Sequence, residues 1–334
     1  MIWLIFIMQT FAQPLSQQER YIRWANNFPI TQSAEKNYLY YGQMHHKINE
    51  LVRNYESRIT PFRIGYTVKN RPIWGFRISD PTTEIKTQVL VFAGLHALEW
   101  IGTETAVATI EALTHNPISY VEVIVVPLVN VDRRLVVEAD LQKGEKTYRR
   151  ANAANVDLNR DFEFNRSSKA IWRHLFPGYY TASPSPLSQP ESKALDRLAA
   201  QENFEVAISL HSFGGYIFYP WAGLYERPKD HGEFVRLGRI MQQAMPGKHQ
   251  YHLQQLSHWS FLFRTLGTEI DHLYGKYGIK AFLIELTRSG IELSDLKTRK
   301  NPFRWYNPKN PNIDQKRGTA AILALCRHLG QQHW

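Results

Sequence analysis

The sequence predicts an α/β domain of three layers, and two observations carry that expectation. Four continuous apolar runs, residues 89–95, 121–127, 204–210 and 281–286, read as strands buried on both faces, because a strand with one wet face would alternate. Around and between them lie segments with apolar residues at helical spacing. Strands alternating with helices place a mostly buried sheet between two helical layers. The chain has 334 residues, 43% of them hydrophobic and 21% charged, which is a globular composition.

Taken in order, residues 43–55 carry Met44, Ile48, Leu51, Val52 and Tyr55 on one helical face. Residues 62–68 and 73–78 read as a hairpin around Lys69, Asn70 and Arg71. The run at 89–95 is followed by a helix over 103–113, with Val107, Ile110 and Leu113 facing inward. After the run at 121–127, residues 130–161 read as mostly loop with a short helical piece. A Ser/Pro-rich loop, 183–190, precedes a helix over 190–200. A helix over 234–245 follows the run at 204–210. The last helix, 319–329, is apolar and makes Cys326 a core thiol.

Residues 13–334 show no linker, repeat or low-complexity tract, so one domain is expected. Residues 1–12 read as an export signal. Ile2 to Met8 form an apolar stretch too short to span a bilayer, and Thr10 and Ala12 give a small-x-small cleavage pattern. No Lys or Arg precedes that stretch, which departs from the usual pattern. Cys326 is the single cysteine, so no intramolecular disulfide forms. An exported chain without disulfides fits a periplasm, and the expected address is periplasmic or secreted. The net charge is +10 and the pI about 9.5. The basic residues are scattered and form no dense block with interleaved aromatics, so nucleic acid is not an expected partner. Stable membrane insertion is not expected either, and the chain reads as a monomer.

The chemistry-bearing residues sit at the ends of the apolar runs. His96 and Glu99, three apart, follow the run at 89–95, and His211 closes the run at 204–210. In open α/β sheets ligands gather at the carboxyl ends of strands. Two nearby donors plus one distant donor match a catalytic metal site, which keeps one position open for water. A thiolate-rich structural site is excluded by the single cysteine. Glu285 lies inside the run at 281–286, where a carboxylate is costly unless it is paired or working. A further block, Asn155-Val156-Asp157-Leu158-Asn159-Arg160-Asp161-Phe162, follows Tyr148-Arg149-Arg150.

These four blocks, in this order, resemble the zinc carboxypeptidase family of pancreatic carboxypeptidase A. Gly65 to Ile78, Pro186 to Glu191, His211-Ser212-Phe213, Tyr219-Pro220 and Gly278-Ile279-Lys280 add to the resemblance, which covers residues 41–328. It implies a twisted, mixed sheet of about eight strands with helices on both faces. Neither the family's inhibitory prodomain before residue 41 nor a β-sandwich tail after residue 328 is expected. It further implies one Zn2+ per chain on His96, Glu99 and His211, with Glu285 as general base. The substrate is then a peptide with a free C-terminal carboxylate gripped by Asn159 and Arg160, a bidentate contact that Lys cannot make.

The resemblance assigns the polarising arginine to Arg149, with Arg150 as the adjacent alternative. Ile270 matches the floor of the specificity pocket and favours apolar C-terminal residues. Glu269 would instead select basic or diamino residues if the register slipped by one. The place of the family's mobile active-site tyrosine holds Phe263; Tyr274, a substrate-binding candidate, and Tyr251 are stand-ins. Other activities with the same fold are trimming of peptidoglycan stem peptides and deacylation of N-acyl amino acids. An inactive peptide-binding module is the remote alternative.

Overall fold

The computed structural model describes residues 15–175, 182–247, 250–288 and 300–333; residues 1–12, read as an export signal, lie outside them. The elements run α1 (Gln17–Asn26), α2 (Tyr41–Asn54), β1 (Ile59–Tyr66), β2 (Pro72–Ile78), β3 (Thr87–Ala93), α3 (Trp100–His115), β4 (Val121–Val126), α4 (Val131–Gln142), α5 (Pro190–Gln201), β5 (Phe204–Ser212), β6 (Tyr216–Tyr219), α6 (His231–Ala244), β7 (His252–Gln255), α7 (Glu269–Tyr277), β8 (Lys280–Leu286), α8 (Pro302–Tyr306) and α9 (Asn312–Gln331). The strands form one eight-stranded sheet in the order β1-β2-β4-β3-β5-β8-β6-β7. β4, β3, β5 and β8 are parallel to one another, β1, β2 and β4 pair antiparallel, and β6 runs against β8 but along β7.

The continuous apolar runs are strands buried on both faces. In β3, Val89, Val91 and Ala93 face one apolar layer while Leu90 and Phe92 face the other. β8 does the same, with Phe282, Ile284 and Leu286 against Ala281 and Leu283. Helices α2, α3, α6 and α9 cover the first layer through residues such as Met44, Ile101, Phe234 and Leu325. α5 and α7 cover the second through Ala194, Leu195, Ile270 and Leu273. Cys326 is fully buried in α9, and burial pushes its thiol up to about 12. No described helix is long and apolar enough to cross a membrane.

Two features bring the chemistry-bearing segments together. Helix α3 packs against β5 at Gly102, where a Cβ would stand 2.8 Å from the carbonyl oxygen of Leu210. That close approach sets the start of α3 beside the end of β5. Parallel pairing of β5 with β8 puts His211 opposite Glu285 in register.

Within residues 130–161, expected as mostly loop with a short helical piece, residues 131–142 form the 12-residue helix α4. α1 was not read; its Ser16 and Glu19 make a reciprocal capping box, with Glu19 N–H on Ser16 Oγ at 3.1 Å and Ser16 N–H on Glu19 Oε2 at 2.8 Å. The four-residue strands β6 and β7 and the short helices α7 and α8 were also not read.

Candidate metal centre

β3 ends at Ala93, and a turn carries His96 to Glu99, the residue that precedes the first turn of α3. Glu99 N–H bonds to the His96 carbonyl at 3.2 Å, which folds both side chains toward one point. His211 reaches the same point from β5. His96 Nδ1 lies 2.8 Å from Glu99 Oε1, and His211 Nδ1 lies 3.0 Å from both His96 Nδ1 and Glu99 Oε2. All three side chains are at most 3% exposed. Two neutral imidazoles cannot present lone pairs to each other at that distance without a proton or a cation between them. Donors about 2.0–2.1 Å from a tetrahedral zinc stand roughly 3.3 Å apart, so the triad fits zinc. Among the described residues it is the one group of three or more His, Cys, Asp or Glu side chains placed to hold a metal ion.

Each imidazole is backed on its far nitrogen. His96 Nε2 lies 2.9 Å from Asp157 Oδ1; His211 Nε2 lies 2.9 Å from Ser209 Oγ and 3.0 Å from Glu269 Oε1. Burial alone would lower the His211 pKa, but hydrogen bonds with Glu269 and Glu99 outweigh it and push it up to about 10. Burial alone would raise Glu99, yet the charges and hydrogen bonds of His96 and His211 hold it below its ordinary value. Glu285 behaves oppositely. Burial, then the charge of Glu99, raises its carboxyl to about 8, and its Oε2 has no partner among the described residues.

The two arginines separate. Arg149, expected to polarise the substrate carbonyl, is turned to α4 and paired with Asp140. Arg150 is the one at the centre: its Nη1 donates to Glu99 Oε1 at 3.2 Å and its Nε to Asp157 Oδ2 at 2.8 Å. Side chains of chain neighbours point apart, so one residue of register decides which arginine reaches Glu99 and Asp157.

Asn159 and Arg160 lie in a 3₁₀ turn, Leu158–Arg160, pinned from two sides. Ser183 N–H bonds to the Arg160 carbonyl at 2.9 Å, and Asp161 takes bonds from Ser183, Ser188, Ser192 and the Gln189 N–H. Opposite stands Gly267, with φ +64°; a Cβ there would meet the Arg160 carbonyl oxygen at 2.7 Å. Arg160 Nη1 bonds to the Asn159 carbonyl at 2.6 Å, and among the described residues no carboxylate forms an ion pair with this guanidinium. Arg160 lines a cavity of about 350 Å³ with Asn155, Val156, Asp157, Ala182, Ser183 and Pro184.

Of the specificity candidates, Ile270 is fully buried in the second apolar layer. The alternative, Glu269 as pocket floor, is not carried by the structure, since its carboxylate faces His211. Tyr274, expected as a mobile tyrosine, is held. Its hydroxyl donates to Asp230 Oδ2 at 2.8 Å and its ring packs on Trp221 and Phe234. Tyr251 is also committed, donating to Asp314 and accepting from the Thr287 N–H, both at 2.9 Å. Asp157, two residues before Asn159, backs His96, a role that its place in the sequence does not signal. The hydroxyls of Tyr148 and Tyr306 meet at 3.1 Å, Tyr306 within electrostatic reach of Arg150 and Glu99.

A family model described as zinc carboxypeptidase matches residues 44–311. The chain belongs to that family. Bovine carboxypeptidase O is 22% identical over 244 residues, covering 69% of this chain and 65% of that protein. Mouse carboxypeptidase A4 is 23% identical over 282 residues, covering 79% and 67%. The chain thus spans about two thirds of the length of the curated relatives it matches. The solved carboxypeptidase A from Helicoverpa armigera shares the fold, with a TM-score of 0.70, 20% identity and coverage of 94% of this chain and 80% of that one. Zinc is the family's metal, and the His96–Glu99–His211 cluster is the candidate site for it among the described residues.

Proposed function

We propose that the protein is a metallocarboxypeptidase that hydrolyses the last amide bond of a peptide bearing a free α-carboxylate. The observation that supports this most is the three-donor cluster at the carboxyl ends of β3 and β5, with the half-buried Glu285 in register beside it. His96, Glu99 and His211 hold the zinc, which when bound acidifies water and polarises a carbonyl. Glu285 takes a proton from the attacking water and delivers it to the departing amine. Arg150 donates to the scissile carbonyl oxygen as negative charge gathers there. Arg160 and the Asn159 side-chain amide grip the terminal carboxylate. Ile270, apolar and buried, favours apolar C-terminal residues, because a basic side chain there would strand its charge.

The test is incubation of the zinc-loaded enzyme with a peptide mixture and purified peptidoglycan stem peptides, read by mass spectrometry. Loss of single C-terminal residues from free-acid peptides is the expected result. Exclusive cleavage of stem peptides would move the substrate to the cell wall.

Two substitutions bear on the substrate contacts. Arg160→Ala should cost about 2–5 kcal/mol in kcat/KM, as when one partner of a buried charge pair is lost, or roughly 30- to 5,000-fold. Amidated peptides should be correspondingly poor substrates of the wild type. Equal cleavage of free and amidated C-termini would exclude the exopeptidase reading. Arg150→Ala should lower kcat by about 10²–10³, the usual effect of removing one oxyanion donor, while Arg149→Ala changes it little. Steady-state kinetics that showed the reverse order would return the role to Arg149.

A further inference from the structure

We propose that Glu269 is a positioning residue for the metal centre: its carboxylate fixes the tautomer and orientation of His211 and thereby sets how tightly zinc is held. The proposal rests on the reading that His211 ligates zinc, and the experiment below separates the two.

His211 offers Nδ1 toward His96 and Glu99, so its proton belongs on Nε2, where Glu269 Oε1 accepts it at 3.0 Å. His211 is 1% exposed and Glu269 fully buried, so water does not compete for that bond; Ser209 Oγ, 2.9 Å from the same nitrogen, shares it but carries no charge. The geometry repeats the one at His96, whose Nε2 meets Asp157 Oδ1 at 2.9 Å. Each imidazole of the centre is therefore backed by its own carboxylate, an arrangement that strengthens the ring as a donor and holds its plane.

A carboxylate that served only packing would have its oxygens satisfied, as those of Asp161 are by three serine hydroxyls and two backbone N–H groups. Glu269 does not. Its Oε2 is buried and has no partner among the described residues. Burying an incompletely bonded carboxylate is costly, and among the described residues its one side-chain hydrogen-bond partner is the candidate ligand. The local sequence keeps it in place. Thr268 Oγ1 caps α7 by accepting from the Asp271 N–H at 3.3 Å, which makes Glu269 the first helical residue. There the helix dipole favours negative charge. The Glu269 N–H is in turn held by Asn159 Oδ1 at 3.2 Å. The residues proposed to grip the substrate and the carboxylate behind His211 are thus joined by one hydrogen bond.

The experiment uses the full-length protein with Glu269→Gln, which keeps the shape and removes the charge, and Glu269→Asp, which keeps the charge and draws it back by one methylene. Zinc affinity is measured by chelator competition, and the visible spectrum is recorded after replacement of zinc by cobalt(II). Glu269→Gln should bind zinc 10- to 100-fold more weakly, the usual effect of losing such a partner, and should shift the cobalt bands. Glu269→Asp should fall between it and the wild type. Wild-type affinity and an unchanged cobalt spectrum in whichever variant folds would overturn the proposal. His211→Ala is measured in parallel. If His211→Ala loses zinc while Glu269→Gln holds it normally, the proposal alone fails. If His211→Ala holds zinc normally, the ligand assignment fails with it.

Discussion

Replacing Glu285 by Gln is expected to leave zinc bound and the fold intact while lowering kcat by about 10⁴ or more. Removing a general base alone costs ~10²–10⁴; here the same group is proposed also to deliver the proton to the departing amine. A loss of four decades corresponds to about 5.4 kcal/mol. The structural basis is the position of this carboxyl. It sits in β8, apolar from Ala281 to Ile284, paired in register with His211 and carrying an oxygen without a partner among the described residues. Burial and the charge of Glu99 raise it to about 8, so folding disfavours its ionisation. In the zinc-free wild type, stability should therefore fall as pH rises from the ordinary carboxylate range toward 8. Glu285→Gln lacks that loss and should become the more stable of the two at the upper end. Rapid kinetics with a blocked dipeptide, metal analysis and zinc-free unfolding curves across pH check the three parts. Near-normal turnover would place the base elsewhere.

The sequence displayed the central sheet because β3, β4, β5 and β8 are apolar on both faces and announce themselves as runs. It concealed α4 for the converse reason. Asp132, Arg134, Glu138 and Asp140 are all buried in that helix, among Val131 and Val137. Arg134 lies over the Trp100 ring and pairs with Glu138. A helix whose inward face is charged breaks the apolar periodicity that a reading from sequence depends on. β6 and β7 are too short to show any period. At the site, residue types at strand ends pointed to His96, Glu99, His211 and Glu285. Their backing partners were hidden because each is distant in sequence: Asp157 is brought to His96 by the turn before Leu158, and Glu269 to His211 by the cap of α7. The choice between Arg149 and Arg150 turned on Asp140, a residue of the unread helix α4, which takes Arg149 away from the centre. The hydrogen bond of Tyr274 to Asp230 was hidden for a similar reason, since Asp230 precedes α6 and no motif links the two.

His211→Ala should yield a folded protein without zinc and without measurable turnover. Three protein donors are the usual complement of a catalytic zinc site, and two cannot be expected to hold the metal against a chelator. The same substitution removes the shared partner of two buried carboxylates, Glu99 and Glu269. Breaking a buried pair costs about 3–5 kcal/mol, within the roughly 5–15 kcal/mol by which domains are stable. The variant should therefore melt earlier yet remain folded at room temperature, with the far-ultraviolet circular dichroism of the wild type. The decisive contrast is linkage. A ligand that binds only the folded state raises its melting temperature in proportion to the logarithm of its concentration. Added zinc should raise the wild-type melting temperature and leave that of His211→Ala where it was. A folded variant with one zinc per chain, normal turnover and the wild-type response to zinc would remove His211 from the site.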